Sequence, residues 1–318
     1  DIMRHKSRTA MSLVGIIGCT ILVVGSLGMR DTMAEFLSMY YDGALRYSSR
    51  IYFSEDATAE QRDKISEEYG GDRSATVGVQ IEDKTVSLDI YGLKNNTVRF
   101  PSDKGGYTDL KDNGAYICER LAEEFELDTG DTFVLSPYGT DKKYTLKLNG
   151  IIRSTSECVV ITEEYADTLN IDYTPDSVYT KTVKKNIRSD AAIKTVQSKQ
   201  AIMDSFDSFL EIMNSMIFVL VGGALVLGIV VLYNLGVMSY TERYREMATL
   251  KVVGFKDGKI GRLLIGQNMW LSLLGIIAGL PLGAFTLDYL LKKMASEYEM
   301  RMYIGPVTYI VSIALTFG

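Results

Sequence analysis

The side chains able to do acid–base, nucleophilic or metal chemistry are few in this chain, and their spacing is poor for all three. The single histidine, His5, stands beside Lys6 at the N-terminus. The three cysteines, Cys19, Cys118 and Cys158, form no C-x-x-C pair. A structural zinc site needs four nitrogen or sulfur ligands, and a serine triad needs a histidine held between its partners. Composition therefore argues against both a metalloenzyme and a serine hydrolase. Carboxylates are plentiful, as in Glu123-Glu124 and Glu163-Glu164, but they scatter over predicted solvent faces. The stretch Gly254-Phe255-Lys256-Asp257-Gly258-Lys259 falls short of a phosphate-binding loop. That motif needs four residues between its glycines and a hydroxyl after the lysine, and Ile260 follows here. The sequence thus predicts no catalytic, cofactor or metal site in this chain. A net charge of −6 also speaks against nucleic acid as a partner.

The elements that would position any functional side chain are set by where charge is missing. The chain has 318 residues, 47% of them hydrophobic and 23% charged. Length alone suggests two domains, but apolar and charged residues are segregated. No charge occurs from Thr9 to Met29, from Ile212 to Thr241 or from Leu263 to Leu287, and a fourth such stretch begins after Arg301. About 20 apolar residues cross a bilayer core, so the first three are predicted to span a membrane, and the fourth is expected to be a span cut short. A buried core helix is the alternative reading, and charge-free core helices of this length are unusual. The first stretch, preceded by Arg4, Lys6 and Arg8, could instead be a signal peptide. Its apolar run is too long for that, and no small-x-small cleavage site follows.

Orientation follows the basic loops. Arg4, Lys6 and Arg8 precede the first span, and Arg243, Arg245, Lys251, Lys256, Lys259 and Arg262 lie between the second and third. Both segments are predicted to be cytoplasmic, with the acid-rich insertion outside. Lys292, Lys293 and Arg301 in the short outer connection run against the rule. The predicted fold class is an α-helical membrane protein of four transmembrane helices, the last truncated, with an inserted α+β extracytoplasmic domain on a helical stalk. Residues 1–30 form the N-terminus and first span, 31–211 the outer domain with stalk helices, and 212–318 the remaining spans around a cytoplasmic loop at 240–260.

In the outer domain, Arg50–Phe53, the alternating Val77, Val79, Ile81 and the alternating Val86, Leu88, Ile90 read as strands. Thr58 caps a helix that stops at Gly70-Gly71. Helices are predicted over 117–125, 163–169 and 190–200, and a hairpin from 132–135 to 144–152. Cys118 and Cys158 lie on the oxidising side in this topology, so a disulfide is allowed, as are two buried free thiols. Asn95-Asn96-Thr97 matches a glycosylation sequon, a pattern common by chance. Met29, Met33, Phe36, Leu37 and Tyr40 recur at helical spacing after the first span, as do Ile202, Phe206, Phe209 and Met213 before the second. These stripes predict helices that continue beyond the membrane and pack together, either as plain connectors or as a stalk that transmits motion.

On the other side, Tyr240 to Lys251 reads as an amphipathic helix ending near Gly254. Such a segment can lie on anionic lipid as a connector, or it can dock a cytoplasmic partner. Gly275, Gly279 and Gly283 repeat every four residues in the third span around Pro281, and Gly15 with Gly18 gives the first span a small face. Faces of this kind allow close helix approach.

Glu242-Arg243, then Glu246-Met247-Ala248-Thr249-Leu250-Lys251, Gly254 and the run from Leu274-Gly275 to Gly283 carry a resemblance. They look like the cytoplasmic signature of FtsX-like, MacB-type ABC transporter permeases, and the order of one span, a large outer domain and three spans is similar. Gln267 departs from it, since many members carry an acidic residue there. Arg4-His5-Lys6-Ser7-Arg8 with Gly15 to Thr20 resembles the opening of the second half of the large duplicated FtsX-like permeases of Gram-positive bacteria. The resemblance implies a non-enzymatic subunit of the bacterial plasma membrane. ATP and Mg would bind a separate cytoplasmic ATPase subunit, and a second permease unit or an upstream half would complete the assembly in the lipid. It also implies that Glu242, Arg243, Arg245, Glu246, Met247, Leu250, Lys251 and Gly254 seat the ATPase, so that hydrolysis moves the outer domain (mechanotransmission). Export, lipoprotein or peptide handling and antibiotic resistance are the implied outcomes. The alternative is a membrane-anchored sensor for a peptide or lipid.

Overall fold

A computed structural model describes residues 6–182, 191–252, 257–294 and 300–317. The chain divides into two compact units. One comprises Asp1–Glu35, Leu210–Met294 and Arg301–Gly318; the other comprises Phe36–Phe209 and Ala295–Met300.

The first unit is helical. Helix α1 covers Lys6–Leu37 and passes into a π-helical turn, Ser38–Ala44. A long helix follows over Lys199–Val252, then one over Asp257–Met294 that runs through Pro281, then one over Pro306–Phe317. These three are α5, α6 and α7 in chain order, after the three short helices of the second unit. Three segments are long and apolar enough to cross a membrane: Ala10–Ala44, Lys199–Asn234 and Met269–Lys293. Helix α7, where a truncated fourth span is expected, is an apolar helix of 12 described residues, below the length of a full span. The amphipathic segment after Tyr240 is the continuation of α5, and only residues 253–256 separate α5 from α6. The amphipathic helix expected at Tyr240 to Lys251 is thus present, as the end of α5.

The second unit is α+β. Its elements are β1 (Ser49–Phe53), α2 (Ala59–Glu68), β2 (Asp72–Ile81), β3 (Lys84–Tyr91), β4 (Phe100–Pro101), β5 (Tyr107–Thr108), β6 (Ala115–Cys118), α3 (Glu119–Glu124), β7 (Thr132–Pro137), β8 (Tyr144–Ile152), β9 (Cys158–Thr162), α4 (Glu163–Thr168), β10 (Ser177–Thr180) and β11 (Ile193–Ser198). Nine strands form one sheet in the order β11-β1-β10-β2-β3-β9-β6-β8-β7, and β7 also pairs with β2. The strands from β2 round to β7 therefore close a ring, and β10, β1 and β11 extend from the start of β2. Alternation sets the ring's interior. Phe133 and Leu135, like Leu146 and Leu148, are buried between exposed or half-buried neighbours. Strand β9, parallel to β3 and antiparallel to β6, is buried at all five positions, as expected where both faces are covered. The extension has its own core of Ile51, Phe53, Ile65 and Val178, with α2 packed on it. Thr58 and Gln61 form a reciprocal capping box at the start of α2. Gly70, at φ 54°, ends it in the left-handed region that glycine adopts at little cost.

Two helix expectations give way to strands. Ile117 and Cys118 belong to β6, because Ala115–Cys118 are all buried between β8 and β9; the helix begins at Glu119. Residues 193–198, within the helix expected at 190–200, pair with β1 from Ser49 to Phe53. Their β-branched Ile193, Thr195 and Val196 suit a strand, and pairing overrides the weaker helical pattern.

Candidate functional site

The first span is the hub of the helical unit. Ile16, Cys19, Thr20, Val23 and Val24 are buried, a spacing that traces a continuous face of α1. The glycines of α6 meet this face in register. A Cβ built on Gly275 would lie 2.5 Å from Ile16 Cγ2, one on Gly279 2.5 Å from Thr20 Cβ, and one on Gly283 3.1 Å from Val24 Cβ. Only glycine allows the helices to approach so closely. On the α5 side, a Cβ at Gly15 would lie 3.0 Å from Val231 Cγ2, and one at Gly228 3.8 Å from Cys19 Sγ. Gly18 is different: a Cβ there meets nothing within 4 Å, so it takes no part in the packing face. Beyond the glycines, Thr32 Oγ1 donates to Tyr303 O (3.0 Å) and accepts from Tyr303 N (3.1 Å), while Asp31 Oδ2 accepts from Gly305 N (2.9 Å). The chain ahead of α7 is thereby fastened to the end of α1.

The predicted ATPase-seating residues Glu242, Arg243, Arg245, Glu246, Met247, Leu250 and Lys251 all lie on the last turns of α5. Their side chains are outside the described residues, and so is Gly254. Tyr244 and Val252, on the same turns, are exposed.

Within the second unit, the segment that follows α1 is joined to β11 and the start of α5. Strands β1 and β11 pair from Ser49↔Ser198 onward. Lys199, the first residue of α5, donates its main-chain N–H to Ser48 O (2.9 Å) and its Nζ to Leu45 O (2.6 Å). The rings of Tyr41 and Phe206 lie 5.0 Å apart, so part of the two predicted apolar stripes does meet, although Phe209 is exposed. The segment after α1 is also held by the loop between β3 and β6. Arg46 N donates to Thr97 O, Arg99 N to Ala44 O and the Tyr107 hydroxyl to Met39 O, at 2.8, 2.8 and 3.2 Å.

The groups that shape this junction went unread in the sequence. Asp72 is buried and accepts four hydrogen bonds: from Asn95 N and Nδ2 (2.7 and 3.2 Å) and from Thr97 N and Oγ1 (2.9 and 2.7 Å). The Asn95-Asn96-Thr97 motif thus has a structural task. The Arg50 guanidinium lies 4.5 Å from the Tyr52 ring centre and 4.8 Å from that of Tyr179, and donates to Ser177 Oγ (2.9 Å). Nearby, burial pushes the Asp89 carboxyl up to about 6, against the opposing pull of the Thr76 hydrogen bond and the Arg50 charge. Burial likewise raises the Tyr47, Tyr91 and Tyr179 phenols. No local sequence signal marks these residues, since they come from six separate strands and loops.

Cys118 and Cys158 are buried thiols and not a disulfide. Cys118 packs in the ring's interior, whereas Cys158 packs in a second cluster with Tyr116 and Tyr179. The disulfide alternative is therefore not the one the structure adopts. Among the described residues, no group of three His, Cys, Asp or Glu side chains could hold a metal ion.

Residues 218–318 match the family model for the FtsX-like permease C-terminal domain. No curated protein matches the chain. Among solved structures, the periplasmic region of MacB from Actinobacillus actinomycetemcomitans is similar at 9% identity and TM-score 0.35, covering 52% of this chain and 95% of that one. The extracellular domain of the noncanonic ABC-type transporter YknZ from Gram-positive bacteria is similar at 15% identity and TM-score 0.29, covering 45% and 87%. A domain of a permease protein from Porphyromonas gingivalis is similar at 17% identity and TM-score 0.26, covering 46% and 80%. The family match rests on residues 218–318, which hold most of α5 together with α6 and α7, so this part of the chain is similar to the C-terminal domain of FtsX-like permeases.

Proposed function

We propose that this chain is the permease subunit of an ABC transporter and couples ATP hydrolysis by a separate cytoplasmic ATPase to movement of the α+β unit, which lies outside the membrane in this reading. The N-terminus and the end of α5 lie on the cytoplasmic side in this reading, and the ATPase seats on Glu242 to Lys251. The observation that carries the proposal is the joined base of the outer unit. The segments that follow α1 and precede α5 are bound to each other through Lys199, Leu45 and the β1–β11 pair. A shift of α1 against α5 must strain or slide that pair. Strand β1 continues through β10 to β2, so the strain has a hydrogen-bonded route into the ring. The chain does no chemistry of its own in this account. ATP and Mg belong to the partner, which supplies the energy. A second permease unit, or an upstream half, completes the assembly.

Co-purification with the ATPase tests the coupling role. Glu246→Lys and Leu250→Asp should each abolish association and permease-stimulated hydrolysis. Unchanged association and stimulation in both variants would overturn it.

A further inference from the structure

The edge of β2 facing away from β3 is covered at both ends and open in its middle. At the start it pairs with β10 through Asp72 to Ser74, and at the far end with β7 through Val79 and Gln80. Odd-numbered residues of β2 turn their main-chain groups toward β3, as shown by Arg73 O accepting from Gly92 N. Thr76 and Gly78 therefore turn theirs toward the gap. One group of each is used: Thr76 N donates to Asp176 Oδ2 (3.1 Å), and Gly78 O accepts from Tyr138 N (2.9 Å). Among the described residues, Thr76 O and Gly78 N have no hydrogen-bond partner. Pro175, which has no N–H, stands where β10 would otherwise continue alongside them. The gap opens onto a cleft of about 730 Å³ lined by Thr76, Gly78, Thr85, Tyr138, Tyr173 and Thr174.

We propose that this cleft binds an extended peptide through its main chain. A carbonyl at one residue and an N–H two residues on are the pair that a parallel strand uses. A ligand residue opposite Val77 would donate its N–H to Thr76 O and accept from Gly78 N with its own carbonyl. Tyr138 and Tyr173 flank the seat and give the neighbouring ligand side chains aromatic surface. The carboxylate at the rim, Asp172, is engaged by Lys142, so the seat reads backbone rather than charge and tolerates varied sequences. This assignment does not rest on ATPase coupling.

Saturation-transfer NMR on the full chain in lipid nanodiscs tests it, with acetyl-Thr-Val-Thr-Val-Thr-amide as the probe. The unmodified peptide should receive saturation. The same peptide N-methylated at every residue should bind at least about tenfold more weakly, having lost its donors. Gly78→Pro removes the protein's donor and no β2–β3 ladder bond. Thr174→Trp fills the cleft without altering β2. Both variants should abolish the transfer. Equal binding of the methylated peptide, undiminished transfer in a folded Thr174→Trp variant, or no transfer to the unmodified peptide at millimolar concentration would each overturn the proposal.

Discussion

Adding one methyl group at Gly279 should destabilise the helical unit through a contact that can be named to the atom. The new Cβ would lie 2.5 Å from Thr20 Cβ, 2.8 Å from Thr20 Cγ2 and 3.1 Å from Thr20 Oγ1. Carbon atoms prefer about 3.5–4.0 Å, so α6 must move off α1 by roughly an ångström. The Thr20 side chain cannot yield cheaply, because its Oγ1 donates to Ile16 O at 2.9 Å. Overpacking of this kind costs about 1–3 kcal/mol, against a helix-propensity gain of about 1 kcal/mol for Gly→Ala. Gly279→Ala should therefore lose stability on balance, and Gly283→Ala, at 3.1 Å, should lose less. Gly18→Ala and Gly222→Ala meet nothing within 4 Å, so they should be neutral or slightly stabilising. The second-site test is sharper. Thr20→Gly should rescue Gly279→Ala, whereas Thr20→Ala should not, because it keeps the Cβ responsible for the shortest contact. Denaturant unfolding in detergent micelles measures all six variants against the unsubstituted chain. A neutral Gly279→Ala, or rescue by Thr20→Ala equal to that by Thr20→Gly, would refute the packing argument.

Three further outcomes follow from the α+β unit. Asp72→Ala should lower its thermal stability by about 3 kcal/mol, since it leaves the buried donors of Asn95 and Thr97 without their carboxylate; a loss under about 1 kcal/mol on melting in nanodiscs would contradict this. Asp89 is a carboxyl with a raised folded pKa, so the folded state holds its proton longer than the unfolded state. Stability should therefore fall as pH rises from about 4 to about 6 and level off above, and Asp89→Asn should flatten that part of the melting profile; an unchanged slope would exclude Asp89 as its source. Thr58→Ala should cost about 1 kcal/mol by removing the α2 capping box, and an unaltered melting temperature would count against the cap.

The three segments long and apolar enough to cross a membrane were legible because span length and missing charge are local properties of the sequence. The glycine repeat of α6 was legible as a small face. Its partner, the Ile16, Thr20, Val24 row, was not, since nothing in one helix names its neighbour. Gly18 shows the converse: a small residue beside a packing face that packs against nothing. In the α+β unit, alternation found the hairpin of β7 and β8, and Thr58 found the start of α2. Alternation failed at β6 and β11, where pairing with β8, β9 and β1 decides the conformation of residues whose local pattern reads as helix. The Asp72, Arg50 and Asp89 clusters were invisible for a related reason. Each gathers side chains tens of residues apart, and a buried polar network has no local period.

The central claim is that ATP binding in the partner moves the two segments joined at the base of the outer domain. Bimane attached at Tyr41→Cys, with Phe206→Trp as its quencher, reports that joint directly, because the native rings lie 5.0 Å apart and the native cysteines are buried. In nanodiscs with the ATPase, quenching should change when ATP binds and return after hydrolysis. Constant quenching while the ATPase turns over at its permease-stimulated rate would contradict the account.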